Sequence, residues 1–461
     1  MTLSLDILDQ EELDKFEKFI NSPFFNSRPK IIALFEYLKN NENVNKESAF
    51  SAVYINEKYN DARIRRLFSD FTAILEKFLG YLNMEIWEDD FVTVKSLGSL
   101  VDKGLNKRFD INYKDLSARL KKIFIKDDAY YRNLAEIELL NHYVNGSPGG
   151  LKNSVDNIDL HFIFAKLHRY RDILLFQSLH PKSIDYKMLF WDEIIEYIKA
   201  NITAIKKEHP NLYIIYLTVM AMANKNGHTY ISVLKEYLSQ NERRFNKERL
   251  SYYYNYVVSF YWMQINEGKT GYYKDAYAIY RIMEKKGLFR TERYVPHNVI
   301  NNVAMAAAAN YDYEWLEKFI NDYRKRIEPE FAEDVFNLSL ARILFYKVDY
   351  SGALNFLNKI TYRNSNYFFN SKMLLARIKY EQGDLNGIKY VVDSLRHYSK
   401  MKKTLVPQQV SNLNMAVKYL RLLVRAARKG SDEALKMKES LDNEKKSVPA
   451  KDWFYEKLSV I

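Results

Sequence analysis

From about residue 300 to residue 397 the apolar and small positions recur in three copies of one pattern. Val303-Ala304 is followed by Asp312-Tyr313 and Leu316; Leu340-Ala341 by Asp349-Tyr350 and Ala353; Leu375-Ala376 by Asp384-Leu385 and Ile388. The copies are offset by 37 and 35 residues, with the spacing inside each held fixed. A period of this size predicts stacked pairs of antiparallel helices, each pair too small to bury its apolar face alone.

Each position has a physical role. The small residue, Ala304, Ala341 or Ala376, lets the first helix of a pair approach the second closely. Eight residues later an Asp is placed to accept from the free N–H groups that open the next helix, where its charge also suits the positive end of the helix dipole. The second helices then carry inward faces at three- and four-residue spacing: Leu316, Phe319 and Ile320; Ala353, Phe356 and Leu357; Ile388, Val391 and Val392.

The small residue, the Asp-aromatic turn (Asp312-Tyr313, Asp349-Tyr350) and Ala353 twelve residues after Ala341 resemble the tetratricopeptide-like helical repeats. The likeness is irregular, because Leu316 and Ile388 stand where that family has a small residue and no copy carries its closing proline. It implies an all-α solenoid whose first helices line a binding groove. Arg342 and Phe345 in one repeat, and Arg377 and Tyr380 in the next, would then form a ladder of cations and rings along that groove.

Upstream, looser helical patterns over 158–179, 186–205, 211–224, 229–239, Tyr252–Ile265 and Tyr272–Tyr280 extend the array back to about residue 155, with a break at His180-Pro181. Residues 1–145 read as a separate helical unit, with helices at Leu8–Ile20, Pro29–Leu38 (Ser27 as its cap), Lys46–Tyr54 and Asp61–Leu82. Its segments Ser22–Asn26 and Asn60–Leu67 resemble openings of uncharacterised bacterial helical proteins, which implies no activity. Asn145-Gly146-Ser147-Pro148-Gly149-Gly150 reads as the linker, since it lacks the Lys-Ser/Thr and the preceding strand of a phosphate-binding loop. The array then occupies 151–404, and capping helices fill 405–461. Among these, Pro407 to Lys429 is stopped by Gly430, and two short helices flank Val448-Pro449.

Composition fits this organisation. Fourteen Gly and nine Pro are too few for a fold built on many tight turns, and no Cys is present, which excludes disulfides, thiolate metal sites and cysteine nucleophiles. The start, Met1-Thr-Leu-Ser-Leu-Asp, shows neither a basic segment nor an apolar run, and no stretch reaches about 18 uninterrupted apolar residues. The expectation is a cytoplasmic protein without a membrane span.

Charge is unevenly placed. The net is +12, yet residues 341–430 hold 17 Lys and Arg against four acids, Asp349, Glu381, Asp384 and Asp393. A field of one sign attracts acidic partners in a salt-dependent way. Within it, Lys418, Arg421, Arg425 and Arg428 fall at intervals of three, four and three, one stripe of a helix. They are candidate binding residues alongside Arg342, Phe345, Arg377 and Tyr380, although a solvated cap accounts for the same stripe.

No catalytic, cofactor or metal constellation is legible. His161 and His168 stand seven apart on one helix, which separates their rings by roughly 10 Å along the axis, too far to share a metal ion. The acidic runs Trp87-Glu88-Asp89-Asp90 and Asp192-Glu193 with Glu196 have no pocket to work in. The tyrosine clusters, such as Tyr252-Tyr253-Tyr254 with Tyr256, precede the basic region and read as packing. The resulting expectation is a non-catalytic scaffold or adaptor that binds a protein or an acidic peptide. Nucleic-acid binding through the basic C-terminal half, helped by Arg63, Arg65 and Arg66, is the alternative.

Overall fold

The structure, a computed structural model, describes all residues except 1–4, 42–43, 88, 181–185, 292, 363 and 403. The Met1–Ser4 opening, Glu88 of the acidic run and Pro181 at the helix break therefore lie outside the described residues. The chain is all-α, and no strand occurs among the described residues; Val295 and Ile327 form an isolated bridge. No helix there is long and apolar enough to cross a membrane.

Two compact units emerge, residues 1–122 with 129–159, and residues 123–128 with 160–461. The first contains α1 (Gln10–Asn21), α2 (Pro29–Lys39), α3 (Lys46–Val53), α4 (Asp61–Trp87), α5 (Asp89–Asp102), α6 (Asn106–Lys122) and most of α7 (Asp128–Asn145). Asp9 opens α1 with a capping box, accepting from Glu12 N at 2.9 Å while Glu12 Oε2 accepts from Asp9 N at 3.0 Å. Ser27 is not the cap of α2: Arg28 stands at that position without a side-chain bond, and Pro29 begins the helix, where a missing N–H costs nothing. The core of this unit gathers Phe16, Phe35, Phe50, Phe71 and Leu75.

The glycine-rich segment is shorter than a linker. Gly146 and Ser147 alone separate α7 from α8 (Pro148–Leu179), Pro148 takes the first helical position, and the division between units falls inside α8.

The second unit continues with α9 (Trp191–Ala200), α10 (Ile202–Glu208), α11 (Pro210–Ala223), α12 (Gly227–Asn241), α13 (Lys247–Asn266), α14 (Tyr272–Lys285), α15 (His297–Ala309) and α16 (Tyr313–Tyr323). It closes with α17 (Ala332–Tyr346), α18 (Tyr350–Leu357), α19 (Ser365–Glu381), α20 (Leu385–Met401), α21 (Pro407–Lys429), α22 (Ser431–Asp442) and α23 (Lys451–Leu458). From α11 onward each helix packs on the next. In addition α11 packs on α13, α15 on α17, α17 on α19, and α19 on α21. Residues 405–461 belong to the same compact unit as these helices.

The repeated positions do what their chemistry requires. Ala304, Ala341 and Ala376 are fully buried, and Asp312, Asp349 and Asp384 cap α16, α18 and α20 by accepting from Trp315 N (3.2 Å), Gly352 N (2.8 Å) and Gly387 N (2.7 Å). Gly352 and Gly387 are matched to these caps, because a Cβ on either would meet the Asp carboxylate at 2.2 or 2.5 Å. Just before each Asp the chain turns left-handed, at Tyr311, Val348 and Gly383. The Asp N–H then bonds back to the carbonyl five residues earlier, Ala307, Leu344 or Lys379.

One prediction arises here. Val348 has φ 63° and is 67% exposed, so its β-branched side chain strains the turn and packs on little. Val348→Gly is expected to stabilise the unit by about 0.5–1 kcal/mol after the greater freedom of the unfolded chain is subtracted. Gly383→Val, at φ 72° in open space, should lose about 1–2 kcal/mol. Urea midpoints that move together in one direction would refute the strain argument.

Candidate functional site

The basic and aromatic side chains of α17 to α21 fall into two groups, one buried or half-buried and one exposed. Arg342, on α17, does not line an open groove. It is 8% exposed, donates to Asn301 Oδ1 at 3.1 Å, and lies among Tyr273, Tyr346 and Tyr367, where burial pulls its guanidinium pKa down to about 10. Phe345, one turn further, is 6% exposed. Arg377 on α19 is half-buried, with its guanidinium 4.7 Å from the Phe345 ring, 5.4 Å from Tyr346 and 5.6 Å from Trp453. Tyr380, also half-buried, meets Trp453 edge-on at 5.7 Å. The expected ladder is therefore corrected: these four residues cluster, but inside the protein, covered by rings of neighbouring helices and by α23.

The α21 stripe divides. Lys418 is held by Glu444 at 2.8 Å, and this bond raises its pKa above the usual lysine value while lowering that of Glu444. Arg421, Arg425, Arg428 and Lys429 instead line a cleft of about 430 Å³ opposite Lys389, Val392 and Asp393 of α20, with Val424 at its base. All five cations are exposed. Arg425 pairs with Glu433 at 2.7 Å, and Arg428 donates to the neutral Asn386 at 2.8 Å. Among the described residues Lys389, Arg421, Arg428 and Lys429 have no ion pair, and Asp393 is the lone acid of the lining, 3.8 Å from Arg396.

The cleft is thus a basic trough with an apolar floor of Val392 and Val424. Its volume suits a few side chains of an extended ligand. Lys389 escaped the sequence reading because it sits on a different helix from the stripe, though its spacing of three from Val392 and four from Asp393 already places the three on one face. A second depression, around Lys247, Glu248, Glu284, Lys286 and Arg290, mixes both signs of charge. In the first unit Arg63 and Arg65 are engaged by Glu57 and Asp61.

No group of His, Asp and Glu among the described residues is arranged to hold a metal ion. His168 Nε2 lies 3.0 Å from Tyr252 Oη, and Tyr253, Tyr254 and Tyr256 are buried, so this tyrosine cluster packs helices. Compared with known proteins, the chain matches no family model, and no curated protein or solved structure is significantly similar to it.

Proposed function

We propose that this chain is a non-catalytic adaptor of the cytoplasm, a tetratricopeptide-like array of helix pairs that captures an acidic segment of another protein in the α20–α21 cleft. The observation that carries the reading is the imbalance of that cleft: five exposed cations, four without an ion pair among the described residues, against Asp393 alone. Free cations around apolar Val392 and Val424 match a peptide that alternates carboxylates with aliphatic side chains. The guanidiniums of Arg421 and Arg428 supply forked donors suited to carboxylates.

The test is fluorescence anisotropy with a labelled Glu/Leu-alternating peptide across a salt series. Lys389→Glu with Arg421→Glu is expected to weaken binding about tenfold or more, on the order of 1.4 kcal/mol, and to flatten the salt dependence. Equal affinity in the double variant removes the cleft from the account. Tyr390, 79% exposed beside Lys389, favours a second reading in which an aromatic and a basic surface take single-stranded nucleic acid. Tighter binding of single-stranded RNA than of the peptide, lost in the same variant, would select it.

A further inference from the structure

The face formed by α17 and α19 already holds a ligand, and that ligand is the end of the chain itself. Beyond Glu444, which Lys418 anchors, the backbone runs without regular structure, and Ser447 passes within 3.7 Å of where a Cβ on Gly268 would stand. Helix α23 then inserts Trp453 between Tyr380 and Arg377, sets Phe454 6.0 Å from Tyr419 of α21, and closes with Lys457 on Glu381 at 2.7 Å. Trp453 is 4% exposed and Phe454 fully buried. Adjacent aromatic anchors with a charged clamp one turn later form the pattern of a short amphipathic helix lying in a groove.

Three features set this contact apart from ordinary core packing. Trp453 Nε1 and Arg377 Nε are both buried without an acceptor; both are donors, so neither can satisfy the other. Ala450, which leads into α23, holds a left-handed backbone at φ 57° with no side-chain cap. With eight residues, α23 is also too short to persist as a helix away from a surface. Undocking relieves the orphaned donors and the strained entry together; α23 also packs on α21 and α22, and its release breaks the bond that Tyr455 Oη donates to Asp442 at 2.6 Å.

We propose that residues 445–461 are an intramolecular ligand, and that the surface of Phe345, Arg377, Tyr380, Glu381 and Tyr419 is a docking groove for a partner helix bearing an adjacent Trp-Phe pair and a lysine one turn later. The C-terminal segment occupies this groove until such a helix displaces it. None of these residues lines the basic cleft, so the inference stands or falls apart from the acidic-ligand reading.

The experiment uses a fluorescein-labelled peptide of residues 445–461, titrated into the full chain and into a chain ending at Glu444. The shortened chain is expected to bind with a Kd of about 1–10 μM, the full chain at least about tenfold more weakly, and a Trp453→Ala peptide to neither. A folded short chain that ignores the peptide, or equal affinity for both chains, overturns the proposal. Hydrogen exchange on the intact protein decides the matter even if the short chain does not fold. Amides of α23 should exchange about 100-fold or more faster than those of α19 and α21, through local release; equal protection makes the segment a fixed part of the core and ends the proposal.

Discussion

Replacing Phe319 by alanine is expected to lower the stability of the second unit by about 3–5 kcal/mol, while Phe356→Ala, at the equivalent place one repeat later, costs only about 1 kcal/mol. Phe319 is 1% exposed, with its ring 4.6 Å from Tyr323, 5.1 Å from Trp315 and 5.3 Å from Phe289, so truncation empties a ring-sized space that closely packed neighbours fill poorly. Phe356 is half-buried in the last turn of α18, which ends at Leu357, and its ring is partly covered by the Lys359 ammonium at 4.8 Å. The difference comes from helix length: α16 runs on for about two turns past Leu316, the first residue of its apolar triplet, whereas α18 ends at Leu357, little more than one turn past Ala353. Urea unfolding followed by helical circular dichroism reads both variants. Equal losses would mean that position in the repeat, rather than burial, sets the energy.

The same contrast shows what a periodic sequence conveys. Capping and close approach are local, so Asp312, Asp349, Asp384 and the buried alanines were legible from spacing alone, as was the inward direction of Leu316, Leu357 and Ile388. What lies against a face is not local. Arg342 bonds to Asn301, 41 residues earlier, and Arg377 lies near both Phe345 and Trp453, the latter 76 residues later, and no spacing within a repeat encodes either partner. Counting charge along the chain failed in a related way. The excess over 341–430 is partly answered by Glu433 and Glu444 just beyond it, which engage Arg425 and Lys418, and the cations left over mark the cleft. The glycine-rich segment misled because Pro148 at a first helical position was outweighed by its neighbours Gly149 and Gly150, which lie in the first turn of α8.

Acid should weaken the second unit well before its carboxylates titrate, and His209 is the principal cause. It joins α10 to α11, its N–H donating to Ile205 O at 2.9 Å and its carbonyl accepting from Tyr213 N at 3.0 Å, so the backbone holds the ring in place. Burial, reinforced by the Lys126 ammonium and opposed by Glu208, pulls the imidazole pKa down to about 4. A histidine whose pKa is depressed on folding contributes stability that is fully present above the unfolded pKa of about 6.5 and is lost as pH falls toward 4, because the unfolded chain takes up the proton first. The loss amounts to about 2 kcal/mol by pH 5 and on the order of 3 kcal/mol at pH 4. His168 and His297 are lowered by burial as well and add to the slope, so the measurement is the difference between the wild type and His209→Gln. Unfolding free energies taken at pH 7.5, 6.5, 5.5 and 5.0 should fall less steeply in the variant by about 2 kcal/mol over that span. Parallel slopes would show that His209 takes up its proton as readily in the folded chain as in the unfolded one, and that the α10–α11 junction admits water the packing excludes.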